Sequence, residues 1–91
     1  MAFEWDVRKA ESNFRKHGVR FPESLPVFED DNAITIVDDE SDPEVQRFVS
    51  VGTGVTGRVL VVVYAYRKKN IRIISARLAE ARERRQYEEA R

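Results

Sequence analysis

"RVLVVVYAYRKKNIRIIS", residues 58–75, says more about the architecture of this chain than any other stretch. Residues 58–66 are apolar without alternation, a pattern typical of a central strand that is covered on both faces. The basic segment 67–70 then predicts a hairpin turn, and residues 71–75 predict the neighbouring antiparallel strand. Arg72 stands among the isoleucines of that strand, so a charge lies in a segment that is otherwise suited to burial.

Two further strands are predicted before this hairpin. Residues 33–39 and 45–52 alternate between apolar and polar side chains, which is the period of a half-buried strand. Residues 41–44 contain a proline and residues 53–57 contain two glycines, so both segments are expected to be turns or loops. Because these connections are short, the four strands predict an antiparallel meander.

The start of the chain predicts a short strand and then an α-helix. "FEWD" at 3–6 is strand-like, and the helix is expected to run from Val7 to about His17. Asp6 is a suitable N-cap for this helix and Gly18 is a suitable C-cap. Apolar residues at helical spacing predict one buried stripe, formed by Val7, Ala10 and Phe14.

Two more helices complete the predicted fold. Residues 21–31 indicate a second, shorter helix, which Pro26 is expected to kink or shorten. Residues 76–91 lack Gly and Pro and are rich in Ala, Glu and Arg, so they predict a C-terminal helix. The predicted fold class is α+β, with N-terminal helices and a C-terminal helix packed on a twisted, mainly antiparallel sheet of four to five strands.

Length and composition exclude several classes of protein. The 91 residues suit a single domain spanning 1–91. The chain has no cysteine, which excludes disulfides, thiolate metal sites and cysteine nucleophiles. No apolar run approaches the roughly 20 residues of a membrane span, and the first residues do not show the basic-then-apolar pattern expected of a secretion leader. We therefore expect a cytoplasmic protein without membrane contact.

The zero net charge hides a strong polarity along the chain. Residues 21–46 carry nine acidic side chains and no basic one, a balance of −9. Residues 47–91 carry eleven basic and four acidic side chains, a balance of +7. A basic C-terminal half is compatible with a polyanionic partner. The acidic middle fits either a solvated loop or a surface that faces a basic partner.

Seven segments together resemble the BrnT family of type II toxins, the ribonuclease partners of BrnA antitoxins. They are "FEWD" (3–6), "KHGVRF" (16–21), "VFEDD" (27–31), "RFVSVG" (47–52), "GRVLVVVY" (57–64), "IRIISAR" (71–77) and "RERRQYE" (82–88). The resemblance implies a RelE-like fold and RNA cleavage that inhibits translation. It also implies a BrnA-like ribbon-helix-helix antitoxin, which neutralises the toxin and through which the complex binds operator DNA. The sequence departs from the family at Ala65 and Tyr66, where Thr-Glu is typical.

Three arginines on or near the predicted strands are candidate catalytic residues for the chemistry that the resemblance implies. In such RNA cleavage the ribose 2′-OH attacks the adjacent phosphate, so the protein must bind and stabilise the charged phosphate, without a metal or another cofactor. A planar guanidinium suits this task because it donates two parallel hydrogen bonds to phosphate oxygens. The candidates are Arg47, Arg72 and Arg77. The alternative is a structural role, in which each of these arginines reaches solvent or pairs with a carboxylate of the sheet.

Proton transfer and RNA binding need further side chains. His17, the only histidine, suits acid–base work near neutrality, but it also suits a structural role before the Gly18 cap. Tyr87 is a candidate because RelE-like toxins often have a working tyrosine near the C-terminus, although a helical tyrosine more often belongs to the core. RNA contacts are expected from basic side chains of the hairpin turn and the last helix, namely Arg67, Lys68, Lys69 and Arg82. The alternative is that these side chains only form a solvated, charged surface.

A second function from another class also fits the sequence. The chain would then be a non-enzymatic module that binds a partner and acts only within a DNA-binding repressor complex. The zero net charge and a thin apolar stripe on the last predicted helix favour this alternative. Alanine substitutions of Arg72 and Arg77 separate the two functions, because the enzyme would lose toxicity and keep antitoxin binding.

Overall fold

The computed structural model describes residues 2–38 and 45–90. Its helical segments are α1 (Val7–His17), a 3₁₀ helix (Phe21–Glu29) and α2 (Ala81–Glu89). Its strands are β1 (Phe3–Glu4), β2 (Ile34–Asp38), β3 (Arg47–Thr53), β4 (Val59–Arg67) and β5 (Asn70–Leu78). None of the helices within these two ranges is long and apolar enough to cross a membrane.

The five strands form one sheet in the order β1-β5-β4-β3-β2. Strands β2 to β5 are an antiparallel meander, and β1 adds to the outer side of β5 in parallel. The predicted meander, with residues 58–66 as its central strand, is therefore confirmed. The helices precede or follow the four meander strands along the chain and do not alternate with them, so the fold class is α+β, as the sequence predicts.

Strand β4 is central because both of its faces are apolar and buried. Leu60 and Val62 point into the main core, which they share with buried residues of the 3₁₀ helix and β5. Val61 and Ala65 point the opposite way and are only 2% and 4% exposed. We call the face of Leu60 the core side of the sheet, and the face of Ala65 the arginine side.

Helix α1 begins and ends at the predicted residues. The Asp6 carboxylate accepts hydrogen bonds from the backbone N–H groups of Arg8 and Lys9, at 2.8 and 3.2 Å. Gly18 follows the last turn with φ at 71°, a left-handed conformation that glycine adopts without a steric penalty. Both predicted caps are therefore confirmed.

The buried side of α1 differs from the predicted apolar stripe. Val7 and Phe14 are 68% and 37% exposed, whereas Asn13 is buried. The Asn13 amide donates to the carbonyls of Ala76 and Val19, at 2.8 and 3.0 Å, and its own carbonyl accepts from the Ala76 N–H at 3.1 Å. Because strand backbone groups point along the plane of the sheet, Asn13 takes the place of a neighbouring strand at the edge of β5.

The second helical segment lies where the sequence predicts it, but it is a 3₁₀ helix. Pro22 fits its first turn, and Pro26 lies inside it. An internal proline removes a backbone donor and disfavours a continuous α-helix. Ser24 is buried and donates to the carbonyl of Phe21 at 2.7 Å, which satisfies its hydroxyl in the core.

The C-terminal helix is shorter than the sequence predicts. Residues 76–78 continue β5 and pair with residues 60–62 of β4, and α2 begins only at Ala81. Helix propensities differ by less than about 1 kcal/mol per residue, and pairing with β4 outweighs them by burying Ala76 completely. Arg77 therefore lies within strand β5, and not in the C-terminal helix that the sequence predicts for residues 76–91.

Candidate functional site

A row of charged side chains crosses the arginine side of the sheet. Ala65 on β4 lies directly opposite Arg47 on β3 and Arg72 on β5. Asp38 and Glu4 extend the row at its two ends, opposite Arg47 and Arg72 respectively. Because adjacent strands are about 4.8 Å apart, the Cα atoms of the two arginines are about 10 Å apart. The small, buried side chain of Ala65 lies between them.

A concavity of about 400 Å³ lies over this row. We call it the basic groove, and its cations and apolar floor include Lys9, Arg47, Arg67, Arg72, Ala65 and Ile74. One of these cations comes from α1 and the other three come from β3, β4 and β5. Four cations around one concavity attract an anion, and the arginines among them suit a phosphate.

Arg47 has a buried donor without a partner. Its Nε is inaccessible to solvent and makes no hydrogen bond, and its guanidinium forms no ion pair with any described residue. A buried charged donor that lacks an acceptor typically costs about 1–3 kcal/mol or more. The groove therefore contains an arginine whose buried Nε–H donor is unused within the described fold.

Arg72, in contrast, has a carboxylate partner. Its Nη1 donates to Glu4 Oε1 at 3.2 Å, and Asn70 donates to Glu4 Oε2 at 3.3 Å. Arg67 lies 3.9 Å from the same carboxylate. The hydrogen bond from Asn70, together with Arg72 and Arg67, lowers the pKa of Glu4. Glu4 therefore stays ionised and offsets part of the positive charge at the β1 end of the row.

A β-bulge in β5 brings Arg72 and Arg77 to the same side of the sheet. Ile73 pairs with Tyr64 and Ser75 pairs with Val63, which leaves Ile74 as an extra residue between them. In a regular strand two residues that are five positions apart point to opposite faces of the sheet. The extra residue at the bulge shifts the alternation by one position, so Arg72 and Arg77 point to the same face. Arg77 consequently lies on the arginine side, opposite Val61, about 13 Å along the sheet from the row.

Arg77 is engaged by the last helix. Its Nη1 and Nη2 donate to Oε1 and Oε2 of Glu83, both at 2.8 Å, in a bidentate ion pair. This pair lowers the pKa of Glu83 to about 2 and raises the pKa of Arg77. The Glu83 carboxylate also accepts from the Glu80 N–H at 2.8 Å, within the first turn of α2. Arg77 therefore fixes the start of α2 against the sheet.

We expect this ion pair to make the free energy of unfolding depend on pH in the acidic range. The Glu83 pKa lies below its ordinary value of 4.5 in the folded state, so the pair stabilises the fold fully above about pH 4.5. That contribution is lost as the pH falls through 4.5 toward about 2. Urea unfolding of the wild type and Glu83→Gln should show a difference in free energy that shrinks over this window. In an Arg77→Gln background the same comparison should show a clearly smaller step, because only the Glu80 N–H and Arg82 then lower the pKa of Glu83, and a step of undiminished size would contradict the assignment.

Tyr87 holds the second half of α2. It is only 2% exposed, and its hydroxyl donates to Asp30 Oδ2 and pairs with Thr53 Oγ1 at 2.9 Å. The same Asp30 oxygen accepts from the Thr53 N–H at 3.0 Å. The thin apolar face of the last helix thus packs on the chain's own sheet through one aromatic side chain. The Tyr87 hydroxyl lies outside the basic groove and is enclosed.

His17 lies beside the groove rather than in it. A smaller concavity of about 210 Å³ is lined by His17, Lys16 and Ser75, and it shares Lys9 and Ile74 with the basic groove. His17 is half-buried at the end of α1. The two concavities therefore form one continuous basic surface along the boundary between α1 and β5.

The remaining basic candidates lie on exposed surface. Lys68 and Lys69 form the two-residue turn between β4 and β5, and Lys68 has a positive φ of 58°. Arg67 belongs to the basic groove, whereas Arg82 is exposed on α2. Over residues 2–38 and 45–90, no group of three or more His, Cys, Asp or Glu side chains could hold a metal ion.

Lys9 is a site residue that the sequence interpretation missed. It lies on α1, one of the segments that the sequence predicts correctly, and it lines both basic concavities. The sequence feature that could have identified Lys9 is its helical spacing from Ser12, Asn13 and Lys16, which places these polar residues on one face of α1. A polar face on an amphipathic helix normally faces solvent, but here it is turned toward β5 through Asn13.

Comparisons with known proteins identify relatives of this architecture. Residues 5–83 match the sequence model of a family described as the ribonuclease toxin BrnT of type II toxin–antitoxin systems. Among solved structures, the crystal structure of the Brucella abortus ribonuclease toxin BrnT superposes with a TM-score of 0.69 at 24% sequence identity. The alignment covers 88% of this chain and 97% of that chain. No curated protein matches the sequence.

Proposed function

The chain belongs to the BrnT family of ribonuclease toxins of type II toxin–antitoxin systems, and we propose that it cleaves RNA in the basic groove. The observation that carries this proposal is the unpartnered Nε of Arg47. A half-buried arginine with a buried, unused Nε–H is suited to an anionic ligand, and a phosphate of the RNA backbone supplies the missing acceptor. The groove is therefore the part of the described surface that best fits this substrate.

The proposed reaction is an attack of the ribose 2′-OH on the adjacent phosphate. The phosphorus–oxygen bond to the next nucleoside breaks, which leaves a 2′,3′-cyclic phosphate on one fragment and a 5′-hydroxyl on the other. Arg47 donates to the phosphate oxygens and stabilises the extra negative charge of the pentavalent transition state. The attacking group belongs to the substrate, so positioning and charge stabilisation account for most of the catalysis.

The other groove residues have supporting roles in this proposal. Arg72 contacts a flanking phosphate from the opposite side of Ala65, and Lys9 and Arg67 attract the RNA backbone at the edges. His17 is assigned to proton transfer, because its concavity joins the groove, whereas the Tyr87 hydroxyl is enclosed. The exposed Lys68 and Lys69 extend the positive surface beyond the groove, and Arg82 adds to the charge of α2.

Cleavage of a synthetic RNA by the purified protein tests this function. The RNA should be cut in the presence of excess EDTA, and the products should carry 2′,3′-cyclic phosphate and 5′-hydroxyl ends. The matched oligonucleotide with 2′-deoxyriboses throughout should remain intact, because it lacks the attacking hydroxyl. Cutting of the deoxy oligonucleotide, or cutting only with a divalent metal, would contradict the proposed chemistry.

Membership of a toxin–antitoxin family implies an antitoxin partner. We propose that this partner is a BrnA-like ribbon-helix-helix protein, and that the free toxin acts on cytoplasmic RNA and inhibits translation. Expression of the chain alone should arrest growth, and co-expression of the antitoxin should restore it. If the folded protein neither arrests growth nor cleaves RNA but still binds the antitoxin, the non-enzymatic repressor module is the correct function.

A further inference from the structure

A second concavity, on the core side of the sheet, has a different chemical character from the basic groove. Its volume is about 420 Å³, close to that of the groove, and aromatic side chains form its walls. We call it the aromatic cleft, and its rings are Phe3, Phe28, Tyr64 and Tyr66. Ring centroids of neighbouring members lie 4.8 to 6.1 Å apart, so the rings form a continuous cluster. Tyr66 is 53% exposed and leaves one wall accessible.

The rim of the aromatic cleft is acidic. Glu29 and Asp30 line it, and the adjacent Asp31 is exposed. These carboxylates belong to the segment 21–46, which carries nine acidic side chains and no basic one. Aromatic faces beside carboxylates are an environment that attracts a guanidinium or ammonium group, through both cation–π and ionic interactions. A polyanion such as RNA is repelled from the same surface.

Strand β2 forms the outer border of this cleft. In the described part of the chain it pairs only with β3, so its other edge has no strand partner. Thr35 lines the cleft and donates or accepts a hydrogen bond with Ser50 at 2.7 Å, while Ile36 and Val37 are 60% and 45% exposed. An exposed strand edge with apolar side chains is a site where an extended segment of another chain can add a strand.

From these three observations we infer that the β2 edge and the aromatic cleft dock a basic, extended segment of the antitoxin. The segment adds a strand beside β2 and inserts one Arg or Lys side chain between the rings of the cleft. This inference rests on the proposed function for the existence of the partner, and it adds the surface and the chemistry of recognition. Most of the docking surface lies on the opposite side of the sheet from the basic groove, and Tyr66 is the one side chain that lines both concavities.

The charge pattern favours this occupant over a second copy of the chain. Pairing two β2 edges would bring the acidic rims of two copies, with Glu29, Asp30 and Asp31, close together, and like charges at an interface are costly. A basic segment from another protein instead gains from the same charges. Strand addition supplies the backbone hydrogen bonds, and the cleft supplies the specificity for a cationic side chain.

Calorimetric titration of the full chain with a BrnA-like antitoxin tests the inference. Glu29→Lys and Thr35→Lys add positive charge at the rim, and Tyr66→Ala removes the exposed ring. Each variant should weaken antitoxin binding by about tenfold or more, because the two lysines repel the inserted cationic side chain and the alanine removes a ring that contacts it. Matched controls are Glu88→Lys for the charge change and Leu78→Ala for the exposed apolar side chain, and both should bind as the wild type does.

RNA cleavage by the same variants separates this inference from the proposed function. Glu29→Lys and Thr35→Lys should cleave RNA at the wild-type rate, because neither residue lies in the basic groove. Wild-type antitoxin affinity in all three cleft variants would overturn the inference, even if cleavage is intact. The inference would also be overturned if the substitutions dissociate a dimer of the free chain, because the cleft would then bind a second copy. It would likewise be overturned if the variants bind RNA less tightly and bind the antitoxin as the wild type does. If the wild-type protein itself does not cleave RNA, the proposed function is overturned instead.

Discussion

Replacing Arg47 by methionine is expected to lower the rate of RNA cleavage by about 100- to 1000-fold while the fold remains intact. Removal of one preorganised donor from a site that stabilises developing negative charge typically costs this much. The stability of the protein should be unchanged or slightly higher, because the substitution also removes a buried donor that has no partner. Single-turnover cleavage and urea unfolding of the same variant measure the two effects.

Two further variants sharpen this expectation. Arg47→Lys keeps the charge but cannot donate the two parallel hydrogen bonds of a guanidinium, so it should recover only a small part of the activity. Arg84→Met removes an exposed cation from α2 and should leave cleavage unchanged. Wild-type cleavage by Arg47→Met, or a loss in Arg84→Met as large as in Arg47→Met, would exclude Arg47 as the stabilising group. A large loss of stability in Arg47→Met would assign it a structural role.

The parts of the fold that could be predicted from the sequence are those set by local chemistry. The caps of α1 follow from the hydrogen-bonding capacity of Asp6 and the conformational freedom of Gly18. The meander follows from strand period and short connections. In contrast, the strand conformation of residues 76–78 depends on pairing with β4, a contact between residues distant in the chain, which outweighs the helix propensity of Ala and Arg.

The candidate site was predictable to a smaller extent, for a related reason. Arg47 is identified from the sequence as a candidate phosphate-binding residue, and the structure places it in the basic groove. The side of the sheet on which Arg77 lies depends on the bulge at Ile74, and nothing in the spacing of the isoleucines indicates an extra residue. Lys9 entered the groove only because α1 turns a polar face toward β5. Neither a bulge nor a polar helix contact leaves a periodic signal.

The sheet also explains how a chain of zero net charge can bind RNA. The cations of the basic groove lie on one side of the sheet, and the acidic rim of the aromatic cleft lies on the other. An RNA strand in the groove is therefore separated from these rim carboxylates by the thickness of the sheet and by the buried β4 side chains. Local charge, rather than the sum over the chain, governs attraction at distances near the Debye length of about 8–10 Å.

Asn13→Asp is expected to destabilise the protein by about 3–5 kcal/mol, the largest effect that we expect for a single substitution outside the groove. The aspartate has the same size, but it cannot donate to the carbonyls of Ala76 and Val19, and each buried group without a partner costs about 1–3 kcal/mol. A carboxylate beside two carbonyl oxygens adds repulsion. A loss of this size is a large fraction of the 5–15 kcal/mol typical of a domain.

Ser12→Asp is the matched control for this substitution, because it adds the same charge one residue earlier on the exposed surface of α1. Urea unfolding should place Ser12→Asp within about 0.5 kcal/mol of the wild type. If Asn13→Asp unfolds at the same urea concentration as this control, Asn13 does not join α1 to the edge of β5. If it is destabilised as expected, its cleavage activity under conditions where it is still folded should also fall, because the Asn13 hydrogen bonds hold the helix that carries Lys9 into the groove.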